Sequence, residues 1–411
     1  MTGFSSRILF FTVSLLGFAC HSQAQTIDAR ILACDRFATR ADHQITGGIR
    51  GVYLSDLDAP AAKAACEPAY AAFPKIARLA YQLGRAEHKL GNADRAKALY
   101  QEASEKGYLL ANVTLAALYL DNASNERDPR QVLDLLQKAA DAKIGSALRA
   151  LAIMHHTGNR VEKNEALALQ YYDKAIAEGD AVARFGKASL LLDRYVAGDD
   201  PKPIVSAYLD AARHNNPEAH TVLGRLYRDG GLGLPLDPYA AIGNFERAAG
   251  LGDPAGALDL ARMMAAIWRD DLGKLQRAVD LLREVAGRND PVLSADAMAV
   301  LGEIGLSISI AVGTPEALIE RAMMINSGSA DVQAAYALLL KTRGDMKGAD
   351  AALDKAIAML PRWAPNYAKR AVLQEAMGNK DLARELQAKA EAAPEGRYFL
   401  LAPVPEAEMA E

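Results

Sequence analysis

The chain has 411 residues, of which 51% are hydrophobic, and its formal net charge at neutral pH is −4. A net negative charge excludes strong electrostatic attraction to nucleic acid or to an anionic membrane as the main activity. No segment after residue 24 is long and apolar enough to cross a membrane, so we expect no transmembrane span in the mature protein.

The first residues are typical of a secretory signal peptide. A basic residue precedes an apolar run from Ile8 to Ala19, and a Ser-Gln-Ala sequence ends at residue 24. The run is too short to span a bilayer, so we predict that residues 1–24 direct export to the periplasm and are removed. The alternative is an outer-membrane lipoprotein at Cys20. A lipobox needs a branched apolar residue three positions earlier, where this chain has Gly17.

Residues 25–76 predict a degenerate first repeat made of two helices. The segment 27–39 forms the first helix and 60–74 the second, with a polar, glycine-containing loop between them. Cys34 lies in the first helix and Cys66 in the second, and no other cysteine remains after either kind of processing. An exported protein with two cysteines is expected to pair them, so we predict a disulfide that joins this terminal hairpin.

The segment 216–252 shows the repeating unit most completely. Asn216 is suited to cap a first helix, because a proline follows it at the first helical position. A glycine-rich loop then interrupts the helix, and Asp237 caps a second one. Each helix has one apolar stripe, and a single hairpin cannot bury both. The unit therefore requires neighbours of the same kind.

The neighbours are visible as small residues at regular intervals on the second helix of each unit. The intervals are 36 or 37 residues up to position 322 and 34 residues after it. Small residues are expected where closely packed helices cross. The helix-capping residues keep the same interval, so two independent patterns predict a helical solenoid. The recurring residues are Ala103, Ala139, Ala175, Ala211, Ala248, Val285, Ala322, Ala356 and Ala390.

The sequence of residues 223–252, LGRLYRDGGLGLPLDPYAAIGNFERAAGLG, resembles a Sel1-like repeat. The 34-residue intervals resemble those of the related tetratricopeptide repeats. The resemblance implies an all-α, right-handed α-α superhelical solenoid. Its repeats are tetratricopeptide-like and then Sel1-like over 77–328, and tetratricopeptide-like over 329–395.

The beginning of the mature chain is also similar to exported alphaproteobacterial Sel1-like proteins. The similarity rests on Cys34-Asp35-Arg36, on Ala65-Cys66-Glu67 and on the segment from Tyr81 to Ala86. It implies that the compartment is a Gram-negative periplasm.

Two segments depart from the repeat pattern. Residues 305–315 carry no charge, which indicates either a longer first helix buried in the core or an exposed apolar patch for a partner. Residues 396–411 start with apolar residues and end with acidic residues and proline, and we predict a flexible tail.

The search for catalytic or metal-binding residues identifies no complete set. The glycine-rich loop at 230–233 follows a helix and lacks the lysine of a phosphate-binding loop. His155 and His156 diverge as consecutive helical residues, and no third ligand is evident. We therefore predict a non-enzymatic protein without a cofactor or a metal.

The resemblance also assigns residues to an inner, partner-binding face. In tetratricopeptide-type arrays this face is lined by side chains of the first helices. Arginine binds carboxylates in a two-pronged geometry, so these residues suggest an acidic protein partner. The alternative is that the arginines pair with carboxylates of their own chain. The register selects Arg78, Tyr81, Arg85, Arg149, Arg225, Arg228 and Arg262.

The function implied by the resemblance is that of a periplasmic protein–protein interaction scaffold, an adaptor in envelope signalling or exopolysaccharide secretion. The first alternative is a carbohydrate- or cell-wall-binding protein that holds polyuronate or peptidoglycan on the arginine-lined face. The second is an enzyme, because some cysteine-rich Sel1-like proteins are linked to β-lactam binding. Those proteins have a disulfide in each repeat, which this chain lacks.

Overall fold

The computed structural model describes residues 28–40, 52–121, 129–308 and 310–396. The described chain is built from helices and contains no β-strand, only isolated bridges such as the one between Trp363 and Glu395. The predicted all-α repeat solenoid is therefore confirmed. None of the described helices has the length and apolar character that a membrane span requires. The predicted signal peptide, Cys20 and residues 397–411 lie outside the described ranges.

The chain divides into two compact units, Met1–Asn122 and Ala123–Glu411. The predicted boundaries after residues 76 and 328 stay predictions. The first unit contains α1 (Ala29–Ala38), α2 (Ala59–Ala72), α3 (Ala77–Lys89), α4 (Ala93–Glu105) and α5 (Leu110–Asp121). The second contains α6 (Pro129–Asp141), α7 (Gly145–Thr157), α8 (Glu165–Ala177), α9 (Val182–Asp193), α10 (Lys202–Arg213), α11 (Pro217–Asp229), α12 (Pro238–Gly250), α13 (Pro254–Ile267), α14 (Leu272–Ala286), α15 (Pro291–Ser307), α16 (Pro315–Asn326), α17 (Ala330–Thr342), α18 (Met346–Met359), α19 (Ala364–Ala376) and α20 (Lys380–Ala392).

The recurring small residues of the sequence are the centres of helix packing. Each lies on the second helix of a pair, from α4 to α20, and at most 1% of its surface is exposed. Ala248 in α12 shows why the position must be small. A Cβ built on Gly256 in α13 would lie 2.5 Å from the Cβ of Ala248. The residues that recur in the sequence every 34 to 37 positions are therefore those at which neighbouring helices pack closely.

Side-chain caps begin the helices where the sequence predicts them. The Asn216 side chain accepts a hydrogen bond from the Ala219 N–H at 2.7 Å, and Asp237 caps α12 in the same way. The 37-residue interval after Asp237 leads to Lys274, which cannot cap a helix, and α14 instead begins after Asp271, whose side chain supplies the cap. These caps satisfy N–H groups that the first helical turn leaves without a partner.

The N-terminal hairpin is held by a covalent link and an ion pair. Cys34 in α1 and Cys66 in α2 form the predicted disulfide, with Cα atoms 4.4 Å apart and both side chains fully buried. Next to it, the buried Asp35 accepts hydrogen bonds from Arg78 of α3. The disulfide joins α1 to α2, and the ion pair joins α1 to α3.

The uncharged connector at 305–315 belongs mainly to the core. Helix α15 continues to Ser307, which makes it the longest described helix, at 17 residues. Val312 is 6% exposed and packs in the core of α12 to α15, with Ile308 and Ile310 against it. Of the two interpretations, the described residues match the longer first helix packed into the core. Residue 309 lies outside the described ranges.

Candidate protein-binding surface

The arginines predicted for the first part of the inner face are engaged inside the first unit. Arg78 donates from Nε and Nη2 to the two carboxylate oxygens of Asp35, at 3.1 Å each. Arg85 is 3% exposed and donates to the backbone carbonyls of Ala38 and Val52, at 2.7 and 2.6 Å. Both guanidinium groups hold α1 or the segment that follows α1 against α3.

Tyr81, the aromatic residue predicted for the same face, is a core residue. It is 2% exposed, and its ring centroid lies 5.5 Å from that of Tyr100 and 5.0 Å from that of Tyr108. Its hydroxyl group lies 3.2 Å from the hydroxyl of Thr114. Tyr81 thus contributes packing between α3, α4 and α5 rather than an exposed contact surface.

In the second unit, Arg149 of α7 reaches the beginning of α9. Its Nε lies 3.0 and 3.1 Å from the two carboxylate oxygens of Asp180. Asp180 also accepts a hydrogen bond from the N–H of Ala183 in the first turn of α9. Arg149 therefore connects one repeat to the next, and its charge is balanced within the chain.

The remaining predicted arginines converge on one buried carboxylate, Asp259 of α13. Asp259 is 2% exposed, and its oxygens lie 2.6 Å from Arg225, 3.5 Å from Arg228 and 3.4 Å from Arg262. Burial by itself raises the pKa of Asp259, but the three guanidinium groups outweigh it and hold the pKa below its usual value. We call this group the Asp259 cluster. In the structure these three arginines pair with a carboxylate of their own chain, which is the alternative that the sequence left open.

The sequence reasoning did not identify Asp259 as the partner of these arginines, although its position in the sequence indicates such a role. It is an acidic residue within the otherwise apolar run from Ala255 to Ala261, on the buried side of a helix. A carboxylate is buried only where it finds partners, so its position should have suggested that neighbouring arginines neutralise it.

The Asp259 cluster extends to the last repeats of the second unit. Arg228 also pairs with Asp229 at 2.7 Å, and its guanidinium carbon lies 4.9 Å from the centroid of the Trp363 ring. Asp229 accepts a hydrogen bond from the backbone N–H of Gly396 at 2.8 Å. Arg262 forms a second ion pair, with Asp331 at the beginning of α17. First helices that are far apart in the sequence are thereby connected.

Next to the cluster is a cavity of about 490 Å³, which we call the α13–α19 pocket. Its walls come from α13 and the residues after it, from α15 and Ile308, from α17, and from α19 with the turn before it. Apolar side chains alternate with charged ones. The lining residues are Arg262, Ala265, Ala266, Ile267, Arg269, Asp270, Val300, Glu303, Ile304, Ser307, Ile308, Asp331, Trp363, Pro365, Ala368 and Lys369. Sequence reasoning assigned Arg262 to the inner face and considered the connector with Ser307 and Ile308 as a partner-binding patch, but it assigned none of the other lining residues to a binding surface.

The charged groups of the pocket are only partly paired. Lys369 and Glu303 form an ion pair at 2.6 Å, and Arg262 pairs with Asp331. The exposed Arg269 has no hydrogen-bond or ion-pair partner among the residues that the structure describes. The Nε of Arg262 is buried and likewise has no hydrogen-bond acceptor in the described part of the chain. The pocket thus combines apolar walls with hydrogen-bond donors that lack an acceptor.

The adjacent histidines contact different neighbours. His156 Nε2 lies 2.8 Å from an Asp193 carboxylate oxygen, whereas His155 stacks on the Tyr171 ring with centroids 5.9 Å apart. Within the described ranges, no group of three or more His, Cys, Asp or Glu side chains is arranged to hold a metal ion.

The sequence profile of the Sel1 repeat matches residues 76–108, 145–180 and 217–253. The first match covers α3 and α4, and the others cover α7 with α8 and α11 with α12. A curated relative with similarity to this chain is chitin synthase regulatory factor 3 of Schizosaccharomyces pombe, which is 26% identical over 157 residues. The similar region covers 37% of this chain and 17% of that protein, so the chain spans about a sixth of the relative's length.

Solved structures with a similar fold include a protective antigen of uropathogenic Escherichia coli, which displays an SLR fold. It is 15% identical, with a TM-score of 0.51 over 93% of this chain and 86% of that one. A Sel1 repeat protein of Oxalobacter formigenes is 21% identical, with a TM-score of 0.47 over 59% of this chain and 96% of that one. Because only 15% of the residues are identical, the similarity to the Escherichia coli protein shows a common fold and nothing more.

Proposed function

We propose that this chain, which carries three Sel1 repeats within an all-α repeat solenoid, is a non-enzymatic protein-interaction scaffold of the periplasm. Repeat solenoids bind partners on the extended surface formed by equivalent helices of successive repeats. The observation that supports the proposal most directly is the α13–α19 pocket. It is a cavity of about 490 Å³ on the first helices of successive repeats, with both apolar and charged walls.

Export to the periplasm is supported by two features of the chain. The apolar segment near the start has the length and flanking residues of a secretory signal peptide. The Cys34–Cys66 disulfide belongs to an oxidising compartment, because cytosolic thiols are kept reduced.

A role in an envelope assembly, in signalling or in exopolysaccharide secretion, is the more specific part of the proposal. The relative that is similar over 37% of this chain is named chitin synthase regulatory factor 3. By analogy with that name, we propose that this chain regulates an envelope-polysaccharide assembly through contacts with its proteins.

The alternative function is binding of polyuronate or peptidoglycan, and it was suggested by a face lined with arginines that were available to a ligand. Every arginine of the predicted face already has a carboxylate or backbone carbonyl partner within the chain. An anionic polymer would have to displace these internal partners, which are preorganised and partly buried.

The experiment that tests the scaffold function is crosslinking in the periplasm of cells that produce the tagged chain, followed by affinity capture and mass spectrometry. We expect a specific envelope protein to be enriched relative to an unrelated exported solenoid of similar size. In parallel, purified peptidoglycan and purified polyuronate are tested for binding. Binding to either polymer without any enriched protein would contradict the scaffold function and support the alternative.

A further inference from the structure

Three large apolar side chains line the α13–α19 pocket from three different parts of the chain. Ile267 ends α13, Ile304 lies in α15, and Trp363 precedes α19. A cavity of about 490 Å³ lies within the range of ligand sites and has room for a large side chain together with its flanking backbone. Apolar walls of this kind favour an apolar group that leaves water on binding.

Two donors of the pocket point to an acidic neighbour of that apolar group. The Nε of Arg262 is buried without a hydrogen-bond acceptor in the described ranges, and a buried unpaired donor is unfavourable. Arg269 is exposed and has no partner among the described residues. A carboxylate is the side chain that can accept charge-assisted hydrogen bonds from guanidinium groups.

The acidic side chains of the pocket favour a basic ligand less than the two arginines favour a carboxylate. Glu303 and Asp331 already have cationic partners in Lys369 and Arg262. Asp270 follows Arg269 directly in the sequence and is exposed to water. The lining has three cationic and three anionic side chains, so their formal charges cancel, and selectivity for a carboxylate arises from short-range hydrogen bonds rather than from a long-range field.

The walls are held in position before any ligand arrives. The Arg262–Asp331 ion pair connects α13 to α17, and the Lys369–Glu303 ion pair connects α19 to α15. The Arg228 guanidinium packs on the Trp363 ring at 4.9 Å. A preformed site loses less conformational entropy on binding than one that must be ordered by its ligand.

We infer that the α13–α19 pocket binds an extended segment of a partner protein in which a large apolar side chain lies next to a carboxylate. The inference rests on the proposed scaffold function and names the chemistry that the scaffold recognises. The apolar side chain packs among Ile267, Ile304 and Trp363, and the carboxylate accepts hydrogen bonds from Arg262 and Arg269.

The probe is a phage-displayed library of random peptides, selected on the purified mature chain. We expect the enriched sequences to share a leucine, isoleucine or aromatic residue beside an aspartate or glutamate. In a synthetic peptide of the enriched sequence, replacing the acidic residue by its amide should weaken binding about tenfold, the effect of losing one charge-assisted hydrogen bond. Enrichment of basic peptides, or of none, would refute the inference.

Variants of the chain test the location. Ala368→Trp fills the pocket from the partly exposed face of α19 and should abolish peptide binding, and Arg269→Gln should weaken it about tenfold. Arg213→Gln is the matched control, because this arginine is 71% exposed and does not line the pocket. Peptide binding that survives Ala368→Trp in a folded variant would refute the assignment, with folding checked by circular dichroism and melting.

Different experimental results would contradict the pocket inference and the scaffold function. If wild type and Ala368→Trp capture the same crosslinked partner equally, the scaffold function stands and the pocket is not its recognition site. If the wild type captures no protein, the scaffold function itself fails.

Discussion

Among single residues, Asp259 decides how Arg225, Arg228 and Arg262 are arranged. Its carboxylate is buried and lies within 3.5 Å of three guanidinium groups. Buried ion pairs need good geometry, because both charges have lost water, and removing one partner leaves the others uncompensated. Replacing Arg228 by glutamate would bring a second carboxylate next to Asp259. Charge reversal at Arg228 is therefore expected to destabilise the fold.

We predict that Asp259→Asn lowers the free energy of unfolding by about 3 to 5 kcal/mol at neutral pH, because three guanidinium groups lose their common counter-charge. The folded-state pKa of Asp259 lies below its usual value of 3.8. Its contribution to stability is therefore complete above the unfolded-state pKa and is lost as the pH falls through the folded-state pKa.

Urea unfolding of both proteins, from neutral pH down to below about pH 4, measures this difference. The gap between wild type and Asp259→Asn should close at the acidic end. Asp280→Asn is the control, since that carboxylate is 61% exposed and should change stability little. Equal stability of Asp259→Asn and wild type at neutral pH would show that the cluster contributes no net stabilisation.

Pairs of helices depend on glycine at their closest approach. A Cβ built on Gly224 in α11 would lie 2.5 Å from an aromatic carbon of Phe245 in α12. The same relation holds between Gly186 and Tyr172. An aromatic ring of one helix therefore lies directly on the backbone of its neighbour, where any side chain would force the helices apart.

Gly224→Ala should lower the free energy of unfolding by about 1 to 3 kcal/mol through overpacking against the fully buried Phe245. Gly243→Ala is a matched control in the same helix pair, because a Cβ there meets no atom within 4 Å. That change should be neutral or stabilise by about 0.5 to 1 kcal/mol, since alanine favours helices. Thermal and urea unfolding compare them, and similar losses in both variants would contradict the packing argument.

The N-terminal hairpin depends on its disulfide. Cys34 and Cys66 are separated by 32 residues in the sequence, and a crosslink of this span restricts the unfolded chain. We predict that the double change Cys34→Ala and Cys66→Ala lowers the free energy of unfolding by about 3 to 4 kcal/mol.

Mass spectrometry after thiol labelling, with and without reduction, first establishes the bond in protein produced in the periplasm. Two labelled thiols in the unreduced protein would contradict the disulfide. Hydrogen exchange then locates the effect of its loss, which should be largest in α1 and α2.

At the scale of the whole molecule, the second unit departs from a simple nearest-neighbour array. In such an array each repeat contacts only the adjacent ones. Here the Arg228 guanidinium packs on Trp363, and Asp229 accepts a hydrogen bond from Gly396, 167 residues further along the chain. Contacts of this kind couple the stability of α11 to that of the last repeat.

We predict that Arg228→Ala and Trp363→Ala are not additive. A cation–π contact that is largely shielded from water is worth about 1 to 2 kcal/mol, so a double-mutant cycle should give a coupling energy of that size. Arg277→Ala in place of Arg228→Ala gives the control cycle, because Arg277 is 58% exposed and pairs with Glu246. A coupling energy near zero for Arg228 and Trp363 would mean that their contact does not couple the stability of α11 to that of the last repeat.

The sequence by itself determined the repeat architecture, because the signals of a helical repeat are local. An apolar stripe, a cap such as Asn216 or Asp237 and a small residue such as Ala248 each act within one or two helices. Their intervals along the chain are therefore also intervals in space. The pairing of Cys34 with Cys66 was predictable for a related reason, since few cysteines remain after export.

Only the tertiary structure decided what the predicted face does. The register placed Arg225, Arg228 and Arg262 on equivalent first helices, but it could not identify their partners. Asp331 lies 69 residues from Arg262 in the sequence, and their contact depends on how several repeats stack together. The α13–α19 pocket arises in the same way, from side chains of helices between α13 and α19. The repeat interval sets which way a side chain faces, whereas the rotation accumulated over several repeats sets which groups it meets.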